Sequence, residues 1–242
     1  MNLVKLDAID STNDYLKNLV RSESLENYIV VTAQNQTNGK GQRGATWSSE
    51  RGKNIIMSML IKDFIDGGTT IFDLNIATSL AVIDALTTLE IPNLKIKWPN
   101  DIMSDAKKIG GILIENNFKS DSRVESIVGI GLNVNQVQFE NLPQASSLAI
   151  ISGLNFDKEM VLNQIVQEII KYTSTWSVNQ QLFREKYINL LFKKGELTEF
   201  QTADRIAFKG TITGITSTGR LEIENESGAI QRFDIKEVTM IF

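Results

Sequence analysis

Apolar positions up to Gly195 follow two spacings, and each spacing predicts a type of element. Continuous or alternating apolar runs predict strands at residues 4–6, 29–31, 55–61, 94–98, 109–114 and 125–134. Apolar residues three or four positions apart predict helices at residues 12–20, 74–89, 158–176 and 181–192. Ser11 and Asp157 are suited to cap the first and third of these helices. This mixture predicts an α+β or mixed α/β core, and the α+β fold, with a mixed β-sheet flanked by helices, is our prediction for the chain.

The chain after Gly195 has a different pattern, in which short apolar runs are separated by glycines. Strands are predicted at residues 206–208, 211–215, 221–224, 230–233 and 238–242. Five short strands in so few residues are typical of a small β-barrel. We therefore predict a larger domain at residues 1–193 and a small C-terminal barrel at residues 194–242. Since no long linker separates them, the two are expected to pack together.

Composition removes several classes of chemistry. The 242 residues include no Cys and no His, which excludes disulfides, thiolate or imidazole metal sites, cysteine nucleophiles and Ser-His-Asp triads. The net charge of −4 argues against a non-specific DNA binder. No apolar run reaches the ~18 residues of a membrane span, and the first thirty residues show no apolar core of the kind typical of a signal peptide. A cytoplasmic enzyme or binding protein is expected, with no DNA and no membrane as partners.

A glycine-rich loop at residues 39–47 is the strongest local signal. Between positions 34 and 54, four basic residues stand against the single acid Glu50. Backbone amides of the loop and Lys40 suit phosphate groups, and Trp47 suits stacking on a base. The alternative is a mobile surface loop with solvated charges. The spacing matches neither a Walker loop nor the dinucleotide fingerprint.

Lys-Trp-Pro-Asn-Asp at residues 97–101 is a second signal. Pro99 ends the predicted strand, which leaves Asn100 and Asp101 at the strand end. A carboxylate there can hold Mg²⁺ or a ribose. An ordinary turn built by these residue types is the alternative.

Two further signals are glycines inside predicted strands. Lys108 leads into the Gly110–Gly111 pair, where missing side chains leave space for an anion beside the ammonium group. Gly129 and Gly131 leave room for an apolar ligand to lie flat on the sheet. The alternatives are an exposed lysine pair before a strand, and a bulge or close helix packing.

Taken in order, these segments resemble the biotin protein ligases. The matching motifs are Ser11-Thr12-Asn13, Gln36-Thr37, the glycine-rich loop, residues 97–101, residues 108–115 and residues 129–133. The resemblance implies the biotin–lipoate ligase fold, which is similar to that of class II synthetases, with an SH3-like C-terminal barrel. The family's optional N-terminal DNA-binding domain has no counterpart here, so an enzyme without repressor activity is expected.

The resemblance also implies a reaction and its participants. Biotin is activated with ATP and Mg²⁺ as biotinyl-5′-AMP and is then transferred to a lysine of a biotin carboxyl carrier protein; no prosthetic group is implied. Lys108 is expected to be the catalytic cation, together with Asp101, which also serves the metal. The implied biotin-binding residues are Ser11, Thr12, Asn13, Gln36, Lys40, Gly41, Gln42, Lys108, Gly110, Gly111, Gly129 and Gly131. The implied ATP-binding residues are Arg43, Trp47, Asn100, Asp101, Lys108 and Asn133.

The glycine-rich loop departs from the family pattern, Gly-Arg-Gly-Arg-x-Gly-Arg-x-Trp. Lys40, Gln42 and Ala45 stand at its three arginine positions. Gln42 lacks the fixed charge and the bidentate fork of arginine near the phosphate. We therefore expect the adenylate to be held less tightly unless Lys40 or Arg43 compensates, and Gln42→Arg to improve its retention.

Other functions stay open at this point. A lipoate or octanoate ligase of the same fold is the nearest alternative, although the polar cluster at residues 11–13 favours a ureido ring over a linear acyl chain. A biotin or nucleotide sensor without turnover is a second, and a structural module a third. Gly67-Gly68 and an exposed sheet edge leave a homodimer open without requiring one.

Overall fold

The computed structural model describes residues 2–66, 68–119 and 123–241, and the backbone but not the side chain of Arg43. Gly67 and Phe242, which entered the predicted dimer contact and the last predicted strand, lie outside the described residues. Among the described helices, none has both the length and the apolar character needed to cross a bilayer.

A seven-stranded sheet forms the larger part of the molecule. Its strands lie in the order β1-β2-β3-β7-β6-β5-β4. Their bounds are Leu3–Ile9, Val30–Gln36, Ile55–Lys62, Leu94–Lys97, Asp101–Ser104, Lys107–Phe118 and Val124–Leu132, for β1 to β7 in chain order. The β1–β2 pair is parallel and the other neighbouring pairs are antiparallel. The predicted mixed sheet is confirmed.

In the part of the chain that the structure describes, five α-helices accompany this sheet, and helices pack on both of its faces. Their bounds are Thr12–Ser22, Ile71–Thr87, Leu148–Ser152, Lys158–Ser174 and Trp176–Asn189, for α1 to α5. Helix α2 is apolar on nearly all sides and lies in the main core between the sheet and α4. Helix α1 packs its one apolar face, with Leu16 and Val20, on the opposite side of the sheet. The site described below lies on the α1 side.

Helix starts follow local hydrogen bonding. The Ser11 hydroxyl accepts from the Asp14 amide at the start of α1, and the Asp157 carboxylate accepts from the amides of Glu159 and Met160 at the start of α4. Both predicted caps are confirmed. The last predicted helix, at residues 181–192, instead occupies Trp176–Asn189, because Trp176 is buried and starts a new helix there.

A separate antiparallel sheet of five strands follows at the C-terminus, in the order β11-β10-β9-β8-β12. The bounds of β8 to β12 are Leu197–Thr202, Ala207–Ile215, Leu221–Asn225, Ile230–Phe233 and Val238–Ile241. The predicted small all-β unit is confirmed, but its first two predicted strands are one strand, β9. Strand β8 was not predicted, although its Phe200 is fully buried.

The turn at residues 216–220, between β9 and β10, packs against the larger part of the molecule. Trp98 Nε1 donates to Gly219 O at 2.9 Å, and Arg184 Nη2 donates to Ser217 O at 2.9 Å. Gly219 has φ +87°, and a Cβ atom built there would lie 2.1 Å from Phe72 Cγ. The turn therefore needs glycine both for its backbone conformation and for its contact with the Phe72 ring.

We expect Gly219→Ala to lower the free energy of unfolding by about 2–4 kcal/mol, because left-handed strain and overpacking add. Gly228→Ala is the matched control: Gly228 has φ +81°, but the nearest atom to its Cβ position is 3.9 Å away. It should cost only the backbone strain, about 1 kcal/mol. Denaturant unfolding of both variants checks this, and equal losses would contradict the proposed steric contact.

Candidate active site

A cavity of about 210 Å³ opens on the α1 face of the large sheet. It lies between the N-terminus of α1, the glycine-rich loop and strands β6 and β7. Fourteen of the predicted site residues line it: Ser11, Thr12, Asn13, Gln36, Lys40, Gly41, Gln42, Trp47, Asn100, Asp101, Lys108, Gly111, Gly129 and Gly131. Residues far apart in the chain thus converge on one concave site.

Bare backbone forms the bottom of this cavity. Gly111 on β6 pairs with Gly131 on β7, and Gly129 lies two positions from Gly131 on the same face. A Cβ atom at Gly131 would lie 2.4 Å from Trp47 Cε2, and one at Gly129 would lie 2.4 Å from Asn13 Oδ1. We call Gly111, Gly129 and Gly131 the glycine floor. At Gly129 and Gly131 a side chain would collide with Asn13 and Trp47, whereas the nearest atom to the Cβ position of Gly111, Lys108 Nζ, is 3.5 Å away.

Gly110 is not part of the glycine floor, contrary to the prediction. A Cβ atom there would point toward Leu132 Cδ1, at 3.2 Å, and Ile102 Cβ, at 3.6 Å. Successive residues of a strand face opposite sides of the sheet, so Gly110 and Gly111 cannot both face the cavity. Gly110 instead allows close packing on the helix-covered side.

The first turn of α1 brings polar side chains to one end of the glycine floor. Ser11, Thr12 and Asn13 are only 2–3% exposed. The backbone amide of Thr12 donates to Gln36 Oε1 at 2.8 Å, and its hydroxyl lies 3.1 Å from the same oxygen. Gln36 is thereby held at the end of β2 with a defined amide orientation. This end of the cavity offers several hydroxyl and amide groups to a polar ligand.

Ser58 is a site-supporting residue that the sequence reasoning did not select. It is fully buried on β3 opposite Gly129, and its hydroxyl lies 2.5 Å from Asn13 Oδ1 and 2.8 Å from Thr12 Oγ1. The available signal was a single polar residue within the apolar run 55–61. An isolated hydroxyl in a buried strand needs a partner, and here the partners are two site residues.

Lys108 and Asp101 form an ion pair at the other end of the cavity. Lys108 Nζ lies 2.5 Å from Asp101 Oδ1, and both side chains are partly exposed. The backbone of Lys108 is held as well: its amide donates to Gln144 O at 2.7 Å, and its carbonyl accepts from the Ser146 amide at 2.9 Å. The ammonium group is therefore placed by both its side chain and its main chain.

A second ammonium group, that of Lys97, adds to the positive charge at this end. Burial lowers the pKa of Lys97; the Asp101 carboxylate opposes that shift, and the positive charge of Lys108 adds to it. Two lysines around one carboxylate suit an anionic ligand.

The glycine-rich loop closes the cavity as a short hairpin. The Gly41 amide donates to Ala45 O at 2.7 Å, and the Trp47 amide donates to Gly39 O at 2.9 Å. Lys40 Nζ lies 2.5 Å from Asp14 Oδ2, and this hydrogen bond raises the pKa of Lys40. Since both side chains are more than a third exposed, the pair is a weak tether between the loop and α1.

Trp47 extends from the loop over the glycine floor. Its ring centroid is 5.8 Å from Lys108 Nζ, and the indole touches the Cβ position of Gly131. The indole Nε1 is buried and has no hydrogen-bond partner among the described residues. The ring therefore connects the loop to the end of the cavity that holds Lys108; its stacking on adenine stays a prediction.

The two predicted asparagines differ in position. Asn100 lines the cavity and is tied to β6, since its Nδ2 donates to Ile112 O at 2.5 Å and its carbonyl accepts from the Ile112 amide at 3.1 Å. Asn133 is 5% exposed and lies outside the cavity lining, with its Nδ2 donating to Ser146 O at 3.0 Å. The structure therefore does not bring Asn133 to the predicted nucleotide side. The side chain of Arg43 lies outside the described residues.

The chain matches the Biotin/lipoate A/B protein ligase family over residues 6–135. The chain belongs to this family. It is 34% identical to "Bifunctional ligase/repressor BirA" of Bacillus spizizenii over 170 residues, 68% of this chain and 51% of that protein. It is 30% identical to "Biotin--[acetyl-CoA-carboxylase] ligase" of Mycobacterium tuberculosis over 159 residues, 64% of this chain and 58% of that protein. The matched part thus spans about half the length of these curated relatives.

Members of the family with solved structures share the whole architecture described above. The biotin protein ligase from Aquifex aeolicus in complex with biotin and ATP superposes with a TM-score of 0.82 at 27% identity. The match covers 99% of this chain and 98% of that one. The C-terminal sheet is therefore part of the shared biotin protein ligase fold, together with the large sheet.

For a biotin/lipoate protein ligase, the donor set is sparse for a resident metal. Among the described residues, no cluster of three or more acidic side chains could hold an ion by itself. The cavity does present the Asp101 carboxylate. One carboxylate together with substrate phosphates is a common way to bind Mg²⁺, so the residues fit a metal that arrives with a nucleotide.

Proposed function

We propose that this protein is a biotin–[biotin carboxyl carrier protein] ligase, which forms biotinyl-5′-AMP from biotin and ATP and transfers the biotinyl group to a lysine of a carrier protein. The observation that carries the proposal is the Lys108–Asp101 ion pair at the edge of the glycine floor. The cavity thus contains a fixed cation at one end, a flat apolar surface at its bottom and polar side chains at the other end. The named relatives and the Aquifex aeolicus complex support the same reading.

Ligand placement follows from the two ends of the cavity. The fused rings of biotin lie in the cavity beside the part of the glycine floor that Trp47 and Asn13 leave uncovered, and the polar ureido ring meets the hydroxyl and amide groups of residues 11–13 and Gln36. The carboxylate of biotin then extends toward Lys108, where ATP brings its α-phosphate. Trp47 and Asn100 border that side.

In the first step, a biotin carboxylate oxygen attacks the α-phosphorus of ATP. The new P–O bond gives biotinyl-5′-AMP, and the bond to the β-phosphate breaks to release pyrophosphate. Two anions must approach each other, so the Lys108 ammonium group lowers the barrier by offsetting their repulsion and the charge that develops on the phosphoryl oxygens. Mg²⁺ bound with ATP supplies further charge neutralisation, and Asp101 is the residue that would hold it.

In the second step, the amine of a carrier lysine attacks the acyl carbon of the mixed anhydride. The amide bond forms, the nitrogen releases one proton to solvent, and AMP leaves with the electrons of the broken acyl–oxygen bond. The anhydride reacts with water, so the glycine-rich loop and Trp47 exclude water from the filled cavity. Residues 1–193 form the catalytic unit in this proposal, and residues 194–242 form a second unit packed beside residues 97–101.

The proposal is tested by the intact mass of a biotin carboxyl carrier fragment after incubation with the protein, Mg²⁺-ATP and either biotin or lipoate. We expect the mass increase of one biotinyl group, and none with lipoate, because the polar end of the cavity is built for a ureido ring. A reaction lacking ATP is the control. No increase with biotin would contradict the ligase function, and an increase with lipoate alone would replace it with lipoate ligation.

A further inference from the structure

Glu115 lies next to the polar end of the cavity and contacts α1 at two points. Its Oε2 accepts a hydrogen bond from Asn13 Nδ2 at 2.9 Å, and its Oε1 pairs with Lys17 Nζ. The side chains of Glu115 and Lys17 are 26% and 29% exposed, whereas Asn13 is 3% exposed. A partly buried carboxylate thus faces one end of a buried amide.

That contact decides which way the Asn13 amide points. An ionised carboxylate only accepts hydrogen bonds, so the NH₂ end of the amide must face it. The oxygen end then faces the Ser58 hydroxyl, 2.5 Å away, and the Cβ position of Gly129 on the glycine floor. Turning the amide over would set its oxygen against the Glu115 carboxylate and would break the donated hydrogen bond.

A fixed orientation gives the cavity a fixed acceptor. An amide oxygen accepts two hydrogen bonds, and Ser58 supplies one. We propose that Glu115 is a positioning residue that holds Asn13 Oδ1 as the acceptor for a ring N–H of the biotin ureido group. This inference rests on the proposed function, since it names how the same site distinguishes a ligand N–H from a ligand oxygen.

A purely structural role for Glu115 makes a different prediction. In that case the carboxylate only ties α1 to β6, and its removal changes stability without changing the preference for a donor on the ligand. Partly exposed ion pairs contribute little to stability, so loss of the pair with Lys17 should lower the free energy of unfolding only slightly. The two roles are therefore separated by ligand selectivity rather than by unfolding.

The decisive experiment exchanges the amide of Asn13 and the carboxylate of Glu115 between the two positions. Asn13→Asp sets two carboxylates against each other and should weaken biotin binding at least ~10-fold, the effect of one buried hydrogen bond lost. Adding Glu115→Gln restores a donor–acceptor pair with the roles reversed, keeps an oxygen beside Ser58 and leaves the total charge of the pair unchanged. The double variant should bind biotin within about threefold of the unmodified protein.

Measurements use the full chain: the biotin Kd by calorimetry, the KM for ATP and the thermal midpoint. Lys17→Met is the matched control, because it leaves Glu115 facing Asn13, and it should change the biotin Kd by no more than about threefold. The KM for ATP should stay constant in each variant. A double variant as weak as Asn13→Asp alone, or an Asn13→Asp protein that binds biotin normally, would overturn the positioning role.

Glu115→Gln alone provides a test that keeps the shape of the side chain. Without the carboxylate, the Asn13 amide can turn over, so the protein should lose its preference for biotin over an analogue with a ring oxygen in place of one ureido N–H. The unmodified protein should prefer biotin at least ~10-fold. Unchanged preference in Glu115→Gln overturns the inference alone, whereas an unmodified chain that binds no biotin overturns the proposed function as well.

Discussion

Replacing Lys108 with alanine is expected to slow the formation of biotinyl-AMP by about 10²–10³-fold, the effect of removing one fixed group that stabilises transition-state charge. The ammonium group is the one paired with Asp101 at 2.5 Å and held through its backbone by Gln144 and Ser146. It acts on charge that develops during phosphoryl transfer, so the rate constant should fall more than the affinity for biotin. Single-turnover release of pyrophosphate measures this step directly.

Lys107→Ala is the matched control for that prediction. Lys107 is the preceding residue of β6, is exposed, and donates through Nζ to Pro143 O at 2.6 Å. Its side chain extends to Pro143 and does not line the cavity, so its loss should change the rate less than about twofold. Equal losses in the two variants would indicate damage to β6 rather than loss of a catalytic cation. A Lys108→Ala protein with normal pyrophosphate release would contradict the proposed mechanism.

Gly131→Ala is expected to weaken binding of biotinyl-AMP by about 10–100-fold, the cost of overpacking a fitted site. The new methyl group would lie 2.4, 2.6 and 2.8 Å from three atoms of the Trp47 indole. Because this contact is with a ring rather than with the end of a flexible chain, the indole must move off the glycine floor. The glycine-rich loop, which carries Trp47, is displaced along with it.

The half-life of the protein–adenylate complex in rapid dilution checks the effect of Gly131→Ala. Gly214→Ala is the control, because Gly214 also lies in a strand, β9, but the nearest atom to its Cβ position is 3.8 Å away. That variant should retain the adenylate normally. Normal retention in Gly131→Ala would mean that the indole does not rest on Gly131 when the ligand is bound.

Sequence patterns were sufficient for elements with strong apolar periodicity. Strand β3 and helix α2 follow directly from apolar runs, because burial fixes their faces. Strands β5 and β8 were missed, since Asp101–Ser104 and Leu197–Thr202 are short and mix polar with apolar residues. Short strands of this kind are defined by their neighbours in the sheet, which no local pattern contains.

The sequence predicted which residues line the cavity better than it predicted which way their side chains face. The sequence analysis places Gly110 and Gly111 together in the ligand site, but the two adjacent residues of β6 face opposite sides of the sheet. Asn133 follows a glycine motif in the sequence, yet its side chain turns to Ser146 inside the protein. Ser58 lies 45 positions and Glu115 lies 102 positions from Asn13, so only the folded sheet brings them to it.

The glycine floor limits how this cavity can change by mutation. Glycine has no side chain to shorten, so every substitution at these three positions adds atoms, and the space above them can only shrink. A larger or differently shaped acid could be accommodated only by residues around the rim, such as those of the glycine-rich loop, whose side chains can be shortened. Divergence toward new substrates is thus directed to the walls, while the base of the site stays the same.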